Sequence, residues 1–173
     1  MDRTGKTPKR SPRPKEEGDL GSMVKVVRST VIDAPVEAVW EIVRDFNGHD
    51  RWHPAVADSQ MERGAPTDRV SGVRRFHLAD GSELREQLLA LSDADMEMSY
   101  CLLDTPVPLF NYVAHVRLLP VTDGDMTFFH WQSRFDTPPG RENELAAMVG
   151  NDIYSAGMEA IGQTLAAAGR ART

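Results

Sequence analysis

The chain has 173 residues, 40% of them hydrophobic, and a formal net charge of −6 at pH 7; this is one domain's length, with enough apolar side chains for a real core. Its single cysteine, Cys101, excludes an intramolecular disulfide, and the sequence shows neither an apolar leader nor an apolar run near the roughly 18 residues of a membrane helix. A reducing, cytoplasmic setting with no membrane span is expected.

Residues 1–22 hold six Lys/Arg against four Asp/Glu, with Pro8, Pro12 and Pro14 among them and Leu20 the only large aliphatic residue after Met1. Such a segment cannot bury enough apolar area to offset its ordering entropy. It is expected to be a disordered basic tail, or an appended extension ending at Gly21-Ser22. The remainder has 14 basic and 22 acidic residues, a net of −8, which argues against a specific nucleic-acid footprint. Residues 169–173 read as a short C-terminal tail, leaving a folded domain over 23–168.

The first element is a β-branched strand, Val24–Ile32. Pro35 then suits the first turn of a helix, with Val36, Val39, Trp40 and Val43 at i, i+3, i+4 and i+7. Asn47-Gly48 stops that helix, and His49–Pro54 is a turn or a short second helix. Strands are expected at Val56–Arg63, Val70–Leu78, Ser82–Leu91, Met96–Leu103, Leu109–Val121 and Asp125–Phe135. Two hairpins are marked by Ala79-Asp80-Gly81 and Thr122-Asp123-Gly124, because Asp-Gly tolerates the positive φ of tight turns. Pro138-Pro139-Gly140 breaks the last strand and admits one long helix, Arg141–Ala168.

The resulting class is α+β: many antiparallel strands, then one long helix. One helix cannot fill a curved sheet of that size, so an internal cavity is expected. Period-two alternation sorts the strand faces. Phe129, Trp131, Ser133 and Phe135 form the more apolar face of the last strand. Tyr112, Ala114, Val116 and Leu118 form that of the strand before it. In Ser82–Leu91 the inward set is Leu84, Glu86, Leu88 and Ala90, so Glu86 faces the apolar side, which is costly unless it is hydrogen-bonded or hydrated. On the last helix Leu145, Val149, Ile153, Ala156, Ala160 and Leu165 make the apolar stripe, and Gly150, Gly157 and Gly162 leave room for close packing or a ligand.

The stretches Ile32-Asp33-Ala34-Pro35-Val36-Glu37-Ala38-Val39-Trp40, Trp52-His53-Pro54-Ala55-Val56, Gly72-Val73-Arg74-Arg75-Phe76, Glu86-Gln87-Leu88, Asn111-Tyr112 and Phe135-Asp136 resemble, in their order and spacing, the START / Bet v 1-like (SRPBCC) superfamily and its polyketide cyclase/dehydrase-like branch. The resemblance spans Val24 to Ala168. It implies a helix-grip fold: a seven-stranded antiparallel curved sheet wrapped around the long C-terminal helix, two short helices after strand 1, and a hydrophobic pocket. The plant abscisic-acid receptors are similar in the same stretches. Their pocket carboxylate falls on Glu86, their pocket tyrosine on Tyr112, and their ligand-binding lysine on His53. The gate falls on Ala79-Asp80-Gly81-Ser82, shorter and without its Leu-Pro. The latch falls on Val107-Pro108-Leu109, without its His-Arg pair. Abscisic-acid sensing is therefore not implied.

The expected function is binding of a hydrophobic, lipid- or polyketide-like small molecule. The alternatives are a cofactor-independent cyclase, aromatase or dehydratase, and a protein-interaction module. Glu86 with His53 or His77 could serve as the acid/base pair of such an enzyme. Trp131, Tyr112, Tyr100, Phe129 and Phe76 could form an aromatic box for a planar ligand, with Ala114 beside them and with Ile153 and Ala156 facing it from the helix. The strand Val70–Leu78 stays open. The resemblance favours Val73, Arg75 and His77 inward, with Arg75 as an anion anchor, whereas apolarity favours Arg74, Phe76 and Leu78. His49 and His53 stand four apart, but no third ligand is evident and Pro54 ends any helix there, so no metal and no cofactor are expected. The chain is expected to be a monomer or a homodimer.

Overall fold

A computed structural model describes residues 22–170; the tail readings for 1–21 and 171–173 lie outside the described residues. Strands β1 (Val24–Ile32), β2 (Val56–Met61), β3 (Val73–Leu78), β4 (Glu83–Ser92), β5 (Glu97–Asp104), β6 (Phe110–Val121) and β7 (Met126–Asp136) form one curved antiparallel sheet in the order β1-β7-β6-β5-β4-β3-β2. Between β1 and β2 lie helix α1 (Val36–Val43) and a 3₁₀ turn, Gly48–Arg51. The chain ends in one long helix that closes the concave face of the sheet. Its parts are α2 (Glu142–Ala147), a π-helical stretch (Met148–Ser155) and α3 (Ala156–Arg170), so it runs two residues past the expected end.

Both expected hairpins form, and each turn uses its glycine at positive φ, Gly81 at 85° and Gly124 at 101°. The Asp80 carboxylate also accepts the Ser82 N–H at 2.9 Å, which tightens the first turn. β3 starts three residues later than expected. Two backbone turns occupy that stretch, Arg69 N–H to Pro66 O and Gly72 N–H to Arg69 O. Helix α1 buries Val36, Val39, Trp40 and Val43, the i, i+3, i+4, i+7 set. Its outer end is tied to the β4–β5 turn, because Trp40 Nε1 donates to Asp93 at 2.9 Å and Arg44 donates to the same carboxylate at 2.8 and 3.0 Å.

The long helix departs from its expected stripe. Leu145 and Val149 are buried, but the next buried side chains are Tyr154, Met158 and Ile161, and Ile153, Ala156, Ala160 and Leu165 are only partly buried. A π turn closes i→i+5 instead of i→i+4, so the apolar face slips by a residue across Met148–Ser155. The Ser155 hydroxyl donates to the Gly150 carbonyl, five residues back, at 3.0 Å. Gly162 lies past the slip, and a Cβ there would meet nothing within 4 Å. Gly162→Ala is therefore expected to stabilise the protein by up to about 1 kcal/mol, through helix propensity alone. Differential scanning calorimetry should show a higher Tm, and a lower one would mean the site is not open.

Candidate functional site

Between the concave sheet and the π stretch lies a cavity of about 120 Å³. An apolar cavity of about 150 Å³ holds a benzene ring, so this space suits one small ring or the end of a longer molecule. Leu84, Met98, Leu102 and Val116 line it from the sheet, and Met148, Val149 and Ile153 from the helix. Of the site residues expected from sequence, His53, Glu86, Tyr100, Tyr112, Phe129, Trp131 and Ile153 stand on its wall.

Arg75 and His77 do not, so the expectation that they bind ligand is corrected. β3 turns Arg74, Phe76 and Leu78 to the cavity, and alternation sends Arg75 and His77 outward. His77 is held on the outer face by Asp58 at 2.9 Å and Glu83 at 3.3 Å; its hydrogen bond to Asp58 is the first cause that raises its pKa, helped by the charge of both carboxylates. Arg75 lies 4.0 Å from Glu83 on the same outer face. Ala114 is fully buried opposite Tyr100 and Ser133 but off the cavity wall, and the slipped helix phase leaves Ala156 off it too. Ala90, expected inward, is exposed because the β4–β5 register shifts between Leu88 and Ala90.

The partner of Glu86 decides the register of β3. Arg74 stands directly opposite Glu86 across the β3–β4 ladder. Its Nε and Nη2 both donate to Glu86 Oε2, at 2.8 and 2.5 Å, and its Nη1 donates to the Phe46 carbonyl. The guanidinium also lies 4.0 Å over the Phe46 ring and 5.5 Å from the Phe76 and Tyr100 rings. Glu86 accepts none of these bonds at Oε1. Burial raises its pKa, and the charge and hydrogen bonds of Arg74 oppose the rise. The pair thus neutralises itself within the wall.

His53 is equally committed. Its Nε2–H donates to the Ile153 carbonyl in the π stretch at 2.9 Å, and its Nδ1 accepts the Ala55 N–H at 3.1 Å. These two bonds define one neutral tautomer, and burial, with the Arg74 charge adding to it, lowers the pKa. The two members of the expected acid/base pair therefore hydrogen-bond elsewhere, His53 to backbone and Glu86 to Arg74. Gly157 makes room for the His53 ring: a Cβ there would stand 2.9 Å from His53 Cδ2 and 3.2 Å from Trp131. Gly157→Ala should cost about 1 to 3 kcal/mol despite alanine's higher helix propensity. Urea denaturation of this variant beside Gly162→Ala gives opposite signs if the packing is as described.

The family model for polyketide cyclase / dehydrase and lipid transport proteins matches residues 23–166. The chain belongs to that family. Its fold is that of a protein from Bacillus thuringiensis, with 26% identity and a TM-score of 0.71 over 82% of this chain and 98% of the other. A Thermobifida fusca protein matches at 29% identity and a TM-score of 0.71, over 80% and 90%. A Streptomyces aromatase/cyclase matches at 18% identity and a TM-score of 0.70, over 83% and 93%, which speaks for the fold alone. Among curated proteins none matches.

In this polyketide cyclase/dehydrase family member the cavity wall carries Tyr100 and Tyr112, and behind them lies a third tyrosine, Tyr154, that sequence reasoning missed. Tyr112 and Tyr154 share a hydroxyl–hydroxyl hydrogen bond of 2.5 Å, and Trp131 Nε1 donates to the Tyr100 hydroxyl at 3.0 Å. Tyr154 is fully buried and stacks on Trp131 with ring centres 4.4 Å apart. Burial raises the pKa of all three phenols, so they stay protonated. Two hydroxyls sharing one hydrogen bond leave one O–H for a further acceptor. Tyr154 escaped the sequence reading because a regular 3.6 period turns only Ile153 inward; across the π stretch Tyr154 is buried as well, while Ile153 keeps its place on the cavity wall. His49, weighed only as a metal ligand, is buried against Phe76, edge to face with ring centres 4.6 Å apart. Among the described residues, no group of three His, Cys, Asp or Glu could hold a metal ion, and no helix is long and apolar enough to cross a membrane.

Proposed function

We propose that this protein binds a small, uncharged, largely apolar molecule in the cavity between sheet and helix. The self-compensated Arg74–Glu86 pair carries the reading. The guanidinium donates its three hydrogen bonds to Glu86 and Phe46 and its charge is balanced by Glu86, so the wall offers no spare cation to an anionic ligand, while apolar and aromatic side chains supply most of the surface. Membership of a family described as polyketide cyclase / dehydrase and lipid transport supports the same class of ligand.

A cofactor-independent cyclase, aromatase or dehydratase is the second reading, with Glu86 as the acid/base. It is favoured by the upward pKa of a buried carboxyl on a cavity wall. In that reading His53 orients groups through Ile153 and does not exchange protons.

Val107 lines the cavity from the loop before β6 and is only partly buried, so Val107→Trp should fill the cavity without overpacking the core. It is expected to weaken binding of a neutral N-phenylnaphthylamine probe by at least about tenfold, which is about 1.4 kcal/mol, with Tm moved by no more than a few degrees. Equal fluorescence enhancement in variant and wild type would place the binding site elsewhere. Native mass spectrometry of protein from its own host identifies the bound molecule, and its conversion on incubation with fresh protein decides for the enzyme.

A further inference from the structure

We propose that the ligand of this cavity carries a hydroxyl group and that His49 is the residue that recognises it. The inference rests on the cavity-binding reading above. Among the described residues, six buried side-chain polar atoms lack a hydrogen-bond partner, and four of them lie in one short segment: Asp45 Oδ1, both ring nitrogens of His49, and Trp52 Nε1. Asp45, His49 and Trp52 all line the cavity. The rest of the molecule satisfies its buried groups with few exceptions, so this clustering marks a place built for a partner that the protein does not supply.

His49 is 6% exposed, its ring meets Phe76 edge to face, and the nearby Asn47 backbone makes no well-aligned hydrogen bond with either nitrogen. Burial, with the charge of Arg74 adding to it, keeps the imidazole neutral. A neutral imidazole has one N–H donor and one lone-pair acceptor. A carbonyl would satisfy only the first, and an ammonium only the second. A carboxylate would bring a charge to a wall where that of Arg74 is already balanced by Glu86. A hydroxyl serves either nitrogen, accepting from the N–H or donating to the lone pair, so it fits whichever one turns to the cavity. Trp52 Nε1 offers a donor to the hydroxyl oxygen, and Asp45 Oδ1 an acceptor for its proton when that oxygen accepts from the ring. In this conformation the nitrogens are sealed from solvent, so engagement includes a rotation of the imidazole about its side-chain torsions.

The test compares p-cresol with p-xylene, nearly equal in shape and differing in the hydroxyl, by titration calorimetry on the whole chain. The ratio of the two affinities cancels the general apolar contribution. From wild type to His49→Phe that ratio is expected to fall at least about tenfold, the value of one hydrogen bond to a buried partner. His49→Gln, which keeps a donor and an acceptor, should retain most of it, and Trp52→Phe should lower it by a smaller factor. An unchanged ratio in His49→Phe, with both compounds still binding, overturns the hydroxyl assignment and means the ring is served by water only; the cavity reading then stands. If His49→Phe fails to fold, an unchanged ratio in Trp52→Phe overturns it instead. If neither compound binds the wild type at saturating concentration, the cavity reading fails and this inference falls with it.

Discussion

Arg74→Met is expected to destabilise the protein by about 3 to 5 kcal/mol at neutral pH, the usual cost of removing one partner of a buried ion pair. Glu86 is left on an apolar wall without its cation, and the Phe46 carbonyl loses its donor. For a domain of this size the loss corresponds to a Tm lower by about 10 °C. The deficit has a characteristic pH dependence. The pKa of Glu86 is already raised by burial, and Arg74 supplies both opposing influences, so its removal raises the carboxyl further. A carboxyl whose folded pKa is raised contributes stability below its unfolded pKa and loses it as pH rises through the folded value. The variant's deficit should therefore shrink on acidification from pH 8 toward pH 5. Arg74→Met combined with Glu86→Gln should recover most of the loss and flatten that pH dependence. Urea unfolding across the pH range measures both effects; a deficit under about 1 kcal/mol, or one that grows on acidification, contradicts a buried pair on the wall.

Tyr154→Ala carries the second large effect. The ring is fully buried, stacks on Trp131 and holds the hydroxyl of Tyr112. Truncation removes an aromatic ring from a close-packed interior and should cost about 3 to 5 kcal/mol. Tyr154→Phe isolates the hydroxyl and should cost about 1 to 2 kcal/mol, since the Tyr112 O–H is left without its partner. Adding Tyr112→Phe to Tyr154→Phe should cost less than the sum of the single changes, because no orphaned hydroxyl remains. Additive costs from chemical denaturation would mean the two hydroxyls do not interact.

The inference about His49 and the prediction for Arg74 concern opposite cases of one rule. Glu86 is a buried charge that the fold satisfies, so breaking its partner is costly. His49 is a buried polar ring that the fold leaves unsatisfied, so making it apolar is expected to affect ligand choice more than stability. Both line the same cavity.

Much of this was legible in the residues alone. The succession of strands along the chain, the two Asp-Gly hairpins, helix α1 and the inward faces of β6 and β7 follow from local rules, because alternation and turn geometry depend on neighbours along the chain. The inward placement of Glu86 was legible for the same reason, and its isolation on an apolar face marked it as part of a site. What alternation could not resolve was β3. Both of its faces carry an arginine, Arg74 on one and Arg75 on the other, and the ladder chose by placing Arg74 opposite Glu86. Tertiary structure alone also decided the helix phase: the π turn that buries Tyr154 and withdraws Ala156 from the cavity is not legible in residue periodicity. The same holds for His53, whose two nitrogens are occupied by backbone groups, Ile153 being a hundred residues away. Local pattern thus determined which side chains face inward on most elements. Which inward polar groups satisfy one another, and which remain free for a ligand, was decided only where distant backbone and side chains meet in the fold.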